Sequence, residues 1–353
     1  MRVPDLAKTL RDVPDVTLNG ASVHEPELPA IDNAAKLVAD KEVELPPELI
    51  SGVLHQGLKG VLASGSKDRK TWNLLHLGLS VACGLVFWKW QCRKGRVLYI
   101  NFEIPRAFIR SRILTLCDSL DIKYRDTKSL DVWTLRGHAA PFYKLLPALI
   151  ERVKSQEYAL MIIDPIYKGL GGRDENSAGD ISSLCNELEK LAVETGAAVF
   201  FAAHYSKGNQ ATKQAIDRIG GSGVWGRDAD TILTLTRHEE DNHYAVETIL
   251  RNLPEQDPFV VRWEFPTMVL AEDKNPEDLK QVAGRKADYD PDQLLTVLPA
   301  EGATTKEWLR LAGEQEGIQR STFFRLKRKL AQAGRLQKSK KTGNWRPTRF
   351  SST

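Results

Sequence analysis

The chain has 353 residues, 42% of them apolar, and a formal charge of +4, enough for one large domain with a small one attached or for two of middling size. No run of eighteen apolar residues occurs, and the opening MRVPDLAKTLRD carries acids and no apolar core segment, so neither a membrane span nor a signal peptide is expected and a cytoplasmic location is. Cys83, Cys92, Cys117 and Cys185 lack C-x-x-C pairing, which argues against a disulfide framework or a zinc site and for small buried apolar side chains.

Residues 1–44 carry many acids and the prolines Pro4, Pro14, Pro26 and Pro29 with little periodicity, as in an arm that is flexible or packs on a neighbour. A strand expected at 59–63 then empties into a small, polar, cationic turn. The helix that follows, from 71 to about 82, has Leu74, Leu75, Leu77, Leu79 and Val81 with little polar face, as in a helix buried against a sheet. Within the turn, Lys70 and Thr71 stand where the motif G-x-x-x-x-G-K-[ST] puts the Lys that meets β/γ-phosphates and the hydroxyl that meets Mg²⁺. Counting back, Ser64 and Arg69 occupy the two glycine positions, and only Gly65 remains, shifted by one. The run Ser64, Gly65, Ser66, Lys67, Asp68, Arg69, Lys70, Thr71, Trp72 is thus a phosphate cradle on one reading and a Ser- and Lys-rich strand-to-helix turn on the other.

Downstream, the apolar run 97–100 ends in Asn101-Phe102-Glu103, and Pro105 opens a helix over 106–120. A strand at 132–135 and a helix near 142–154 lead to the strongest strand of the chain, 158–163, closed by Asp164-Pro165. A Gly-rich loop separates it from a helix at about 177–195, and the apolar strand 197–203 is ended by His204. Unbroken apolar strands alternating with helices predict an α/β fold, a mostly parallel sheet with helices on both faces. Residues 205–223 are small and polar and read as a long mobile loop. Three further strands, 231–236, 244–250 and 259–264, are expected at one sheet edge, and the charged stretch 272–290 reads as a linker.

In open α/β sheets ligands bind outside the carboxyl ends of the strands. Four polar groups stand at such ends: Lys70 with Thr71, then Glu103, Asp164 and His204. Lys70 and the unpaired amides at a helix N-terminus hold phosphate. Thr71 and Asp164 suit Mg²⁺, Glu103 can orient or deprotonate an attacking water, and His204 can sense the γ-phosphate or nucleic acid. Each alone is an ordinary cap or turn residue. Their occurrence in this order argues for a nucleotide site.

These residues, from Leu58 to Glu264, resemble the RepA-type branch of RecA-like ATPases, the hexameric DNA helicases of plasmids and phages and their relatives in mobile elements. Members with this variant loop have a Lys and an Arg between the usual glycines, as Lys67 and Arg69 stand here. The resemblance implies ATP and Mg²⁺ as cofactors, Lys70 and Thr71 at the phosphates and metal, Glu103 as catalytic base, Asp164 as metal-coordinating acid and His204 as sensor. It also implies a basic residue supplied in trans near the late strands, for which Arg251 is the candidate and Arg237 the second choice. By the same resemblance the loop after His204 faces a central channel, where Lys207, Lys213 and Arg218 would meet single-stranded DNA. A surface loop without function is the competing reading.

From 318 onward there is no Asp or Glu, while Arg320, Arg325, Lys327, Arg328, Lys329, Arg335, Lys338, Lys340 and Lys341 are all basic, which points to a polyanion. A helical pattern at 292–298 precedes Thr304-Thr305-Lys306-Glu307, a capping signature ahead of Trp308. After a turn at Gly317-Ile318, Ser321 can cap a second helix over 322–333 with Phe323, Phe324, Leu326 and Leu330 inward, and a hairpin-like stretch follows to Trp345. This layout resembles a winged helix-turn-helix, whose contacts to duplex DNA would come from Gln319, Arg320, Thr322, Arg325 and Arg328, with Lys340 in the wing. A small protein-docking domain with a basic face is the other reading.

The expected organisation is an arm (1–44), a RecA-like P-loop ATPase domain (45–271), a linker (272–290) and a winged-helix domain (291–353). The expected function is an ATP-dependent DNA motor, a ring-forming (hexameric) replicative helicase working with other replication proteins on a plasmid, phage or mobile element. The alternative is a non-unwinding DNA-binding ATPase acting as regulator or loader. A third reading is a structural DNA-binding protein with an inactive nucleotide site, since a non-glycine residue such as Arg69 adopts positive φ only at a cost of about 1 kcal/mol or more.

Overall fold

The computed structural model describes residues 29–348 except 139, 221–222, 281–289 and 340–341, and except the side chains of Ser321 and Arg325. In the first of its two units, Met1–Leu45, the described part holds one short exposed helix, α1 (Ala34–Ala39), capped by the Asn33 side chain on the Ala35 amide. The second unit, Pro46–Thr353, begins with a small hairpin, β1 (Glu48–Ile50) and β2 (Leu54–His55).

The main sheet follows. It is built from β3 (Lys59–Ser64), β6 (Arg96–Asn101), β7 (Leu130–Thr134), β8 (Tyr158–Asp164), β9 (Ala198–His204), β10 (Thr231–Arg237), β11 (His243–Leu250), β12 (Phe259–Glu264) and β13 (Thr267–Leu270), with β4 (Val86–Phe87) and β5 (Trp90–Gln91) as a separate hairpin. The strand order of this nine-stranded sheet is β13-β12-β11-β10-β3-β9-β8-β6-β7. From β10 to β7 all neighbours are parallel, and β10 to β13 form an antiparallel meander at the other side.

Two apolar layers follow from the strand period of two. On β8, Leu160 and Ile162 face the layer under α2 (Lys70–Cys83) and α3 (Arg106–Ser119), while Met161 and Ile163 face the layer under α4 (Phe142–Val153) and α5 (Ala178–Thr195). On β9, Phe200 and Phe201 split the same way. Because both faces are covered, the strands read as continuous apolar runs without alternation. The fold is the expected mostly parallel α/β sheet with helices on both faces.

Two expectations are corrected here. Residues 205–220 are not loose: 3-10 turns at Gln210–Thr212 and Ala215–Arg218 and a Tyr205–Ile219 bridge tie them down ahead of α6 (Val224–Asp228). The first half of the expected linker is also docked. The Glu239 amide bonds to Asp278 O at 2.8 Å, the Lys280 amide to Arg237 O at 2.9 Å, and Lys274 pairs with Glu240 at 2.8 Å. Two of its charges, Lys274 and Lys280, pair with Glu240 and Asp241 of the β10–β11 turn.

The C-terminal part has its own core. α7 (Pro291–Thr296), α8 (Thr305–Glu316), α9 (Arg320–Gln332) and the hairpin β14 (Leu336–Lys338) and β15 (Trp345–Pro347) enclose Leu294, Trp308, Phe323, Leu326, Leu330 and Leu336. Thr304 caps α8 on the Glu307 amide as its sequence pattern requires. α9 starts two residues earlier than expected, with Gln319 rather than Ser321 at the cap position. Phe324 points outward, 41% exposed, because it follows the buried Phe323 by about 100° of helix turn. No helix among the described residues is long and apolar enough to cross a membrane.

Candidate functional site

The loop between β3 and α2 leaves the sheet at its carboxyl edge. Lys67 and Arg69 both hold φ of +66°, a left-handed conformation that costs a side-chain-bearing residue about 1 kcal/mol. The Arg69 guanidinium lies 5.0 Å from the ring centre of Trp263, a contact that offsets part of that cost. Gly65 has no room for a larger residue: a Cβ there would come 2.3 Å from the Asp68 carboxylate. Asp68 is buried and is held by Arg237, with Nε at 2.7 Å and Nη2 at 2.6 Å from Oδ1. Arg237, considered as a second choice for a residue acting in trans, is thus engaged by its own loop.

Lys70 opens α2 and is 9% exposed. Its ammonium donates to Gly65 O at 2.7 Å and to Ser64 O and Oγ at 3.3 Å, and lies 3.1 Å from His204 Nδ1. Burial lowers its pKa to about 8, against the opposing pull of Asp68 and Asp164. His204 sits at the end of β9, where desolvation and the Lys70 charge hold its imidazole below the usual value. Neutral, it can accept from Lys70 through Nδ1.

Asp164 ends β8 in the adjoining register. Burial raises its pKa, partly offset by hydrogen bonds from Tyr99 and Thr71; Tyr99 Oη lies 2.6 Å from Oδ2. A buried carboxylate beside a helix-start hydroxyl is a donor set for a hard cation. Among the described residues no group of three or more His, Cys, Asp or Glu could hold a metal ion. A cation between Thr71 and Asp164 would therefore complete its shell from phosphate and water, as Mg²⁺ does.

Glu103 follows β6, exposed, its amide bonded to the buried Asn101 side chain at 3.2 Å. Its carboxylate accepts the hydroxyl of Tyr167, which stands on the 3-10 turn Ile166–Gly169 after β8. Ser66 to Trp72, Glu103, Asp164, Tyr167 and His204 line one cleft of about 490 Å³. The structure thus brings four dispersed strand ends to one place. Arg112 joins them, its guanidinium 4.9 Å from the Trp72 ring centre. Beside the loop, Trp72 meets Phe265 edge-on at 5.3 Å, and Phe265 is 67% exposed.

Other expected residues lie elsewhere. Arg251 stands at the opposite end of the strands from the loop, next to Thr231 and Gly60 in register, with its guanidinium on Arg227 O and 3.6 Å from Asp230. Arg218 is a correction: it is buried, ion-paired with Glu247, and donates to Thr236 Oγ1 at 3.1 Å and to Gln210 O and Lys213 O at 3.0 Å. Its donors are used inside the fold, so it is not a phosphate contact. Lys213 is half-buried and bonded to Ser206 Oγ at 2.6 Å, while Lys207 is exposed. On α9, Arg328 is exposed and Thr322 half-buried, and Arg320 stacks 5.8 Å over Phe324. The Arg325 side chain and Lys340 lie outside the described residues.

A protein family described as an AAA domain matches residues 24–210, more than half of the chain. The chain belongs to this AAA domain family. Its mostly parallel sheet and lysine-bearing loop accord with a RecA-like P-loop fold. Two solved structures resemble it. The RadB recombinase is 16% identical, covering 62% of this chain and 92% of its own with a TM-score of 0.45. A KaiC-like protein from the hyperthermophilic archaeon Pyrococcus horikoshii OT3 is 14% identical, covering 63% and 93% with a TM-score of 0.48. No curated protein matches the sequence.

Sequence reading missed Tyr167, Tyr99, Arg112 and the pairing of Arg237 with Asp68. For Arg237 a signal existed, an isolated cation closing an otherwise apolar and Thr-rich strand. For the others only the fold supplies the partner.

Proposed function

We propose that this AAA domain protein is an ATP-dependent DNA motor, a ring-forming helicase of the RepA-type branch serving replication of a plasmid, phage or mobile element. One observation carries the reading: Lys70, Thr71, Asp164, Glu103 and His204 converge on a single cleft at the carboxyl edge of a parallel sheet. In this reading Lys70 and the loop amides hold the β- and γ-phosphates, and Thr71 and Asp164 hold Mg²⁺. The metal, when bound, neutralises charge developing on the phosphoryl oxygens. Glu103 takes the proton of the attacking water, and His204 reports the phosphate to the loop behind it. The exposed face of Phe265, flanked by Trp72, is a shelf on which a nucleobase can stack.

Arg251 is proposed as the group that serves an adjacent subunit's cleft in a ring. Lys207 and Lys213 are the proposed contacts to a single strand. Residues 291–353 are proposed as a winged helix-turn-helix, with 45–271 as the motor domain; Arg320, Thr322, Arg325, Arg328 and Lys340 would then face duplex DNA. The support is a helix pair, a basic second helix and a hairpin around one small core.

The test is strand displacement on a forked duplex with ATP and Mg²⁺, with light scattering to follow assembly. Displacement by the wild type and none by Lys70→Ala is expected. Hydrolysis without displacement by any assembly would replace the motor with the regulator or loader reading, and a strict monomer under all conditions would remove the trans role of Arg251.

A further inference from the structure

Among the described residues of the cleft, Tyr167 is the one whose side chain bonds to the carboxylate of the proposed base. Its hydroxyl donates to Glu103 Oε1. Burial and the Glu103 charge hold the phenol well above its usual pKa, so it stays a donor across the working range. A carboxylate oxygen that accepts a phenol proton is not free to accept one from water.

The same ring is shared with a second cavity. Tyr167 and His204 line both the nucleotide cleft and a space of about 340 Å³ walled by Glu175, Asn176, Ser206, Lys207 and Trp225. Their ring centres are 6.0 Å apart. His204 is in turn the root of the 205–220 loop. The Gly220 amide bonds to His204 O at 2.7 Å, and a Cβ on Gly220 would collide with that oxygen. The Tyr167 ring also carries the Lys168 ammonium at 5.2 Å from its centre, and Lys168 is exposed. A phosphate chain that draws Lys168 and Lys207 toward itself would therefore act on the Tyr167 ring through Lys168 and on the cavity wall that Lys207 shares with it.

We propose that Tyr167 is a positioning residue that withholds the Glu103 carboxylate from water until single-stranded DNA engages the loops around the second cavity. This rests on the reading of Glu103 as the base. No covalent step is added: the hydroxyl lets go of the carboxylate, and Glu103 then accepts the water proton.

The experiment is steady-state ATP hydrolysis by full-length Tyr167→Phe with and without single-stranded DNA, beside wild type and Glu103→Gln. The expected result is a several-fold rise in DNA-free kcat with little change in KM for ATP. The rate at saturating DNA should stay within a factor of about two of wild type, so that the stimulation ratio falls toward one. A purely structural role predicts that both rates fall together with the ratio kept, and that result overturns the proposal; so does a fall in the DNA-free rate alone. Tyr167→Leu also lacks the hydroxyl and is expected to behave the same way, so a folding defect in one variant leaves the other decisive. Glu103→Gln separates the premises. Wild-type turnover in that variant removes the base reading whatever Tyr167→Phe does, and lost turnover with an unchanged ratio in Tyr167→Phe removes only the Tyr167 proposal.

Discussion

Proton uptake on nucleotide binding follows from the burial of Lys70. As folded here its pKa is about 8, lowered by desolvation, against about 10.4 for a solvated lysine. A bound triphosphate stabilises the charged form and returns the pKa upward. Binding should therefore take up about 0.1 proton per site at pH 7, about 0.5 at pH 8 and about 0.9 at pH 9, and apparent affinity should fall about tenfold per unit above pH 8 until the pKa of the bound form is reached. Titration calorimetry in two buffers of different ionisation enthalpy reads the uptake directly. Lys70→Arg, which stays charged throughout, should bind without that uptake, so subtracting it removes protons contributed by other groups. Equal heats in both buffers at pH 8 for wild type would refute the burial of Lys70 as the cause. The sign also applies to stability. A lysine with a lowered pKa costs folding free energy below pH 8, and that cost fades as pH rises from about 8 to about 10.4.

Other outcomes follow from the same contacts. Arg237→Ala leaves the buried Asp68 carboxylate without its guanidinium and should lower stability by about 1–2 kcal/mol in urea, since Arg237 itself is more than half exposed; an unchanged midpoint would show the pair to be idle. Tyr99→Phe removes a buried donor from Asp164, so protonation should compete with Mg²⁺ at higher pH. The acid limb of Mg²⁺-dependent turnover should rise by about one pH unit, and an unmoved limb would dissociate Tyr99 from the metal site. Trp308→Ala empties the C-terminal core and should cost that part about 3–5 kcal/mol. Duplex binding should then weaken while hydrolysis persists, and full duplex affinity in an unfolded tail would sink the winged-helix reading.

The strands were legible in the amino-acid sequence because a sheet covered on both faces requires runs such as Met161-Ile162-Ile163 and Phe200-Phe201, with no polar residue to interrupt them. The strand-end residues were legible for a related reason: Asp164 and His204 are the first polar groups after their runs, and Glu103 follows two residues after Asn101, which closes the run 97–100. Partners were not. Asp68 and Arg237 are 169 positions apart, and Tyr167 reads as one more loop aromatic until β6 and β8 are set side by side. Arg218 looked like a loop cation because charge in a polar stretch usually faces water; Glu247 on β11 draws it inward. Phe324 beside Phe323 shows the limit of an apolar pair on a helix, since only one of the two can face the core.

The most direct measurement of the central claim is the steady-state ATP hydrolysis rate of the full-length protein as single-stranded DNA is titrated in the presence of Mg²⁺. The motor reading predicts turnover that rises with DNA to saturation and is abolished by Lys70→Ala. Absence of hydrolysis at every DNA concentration would contradict it.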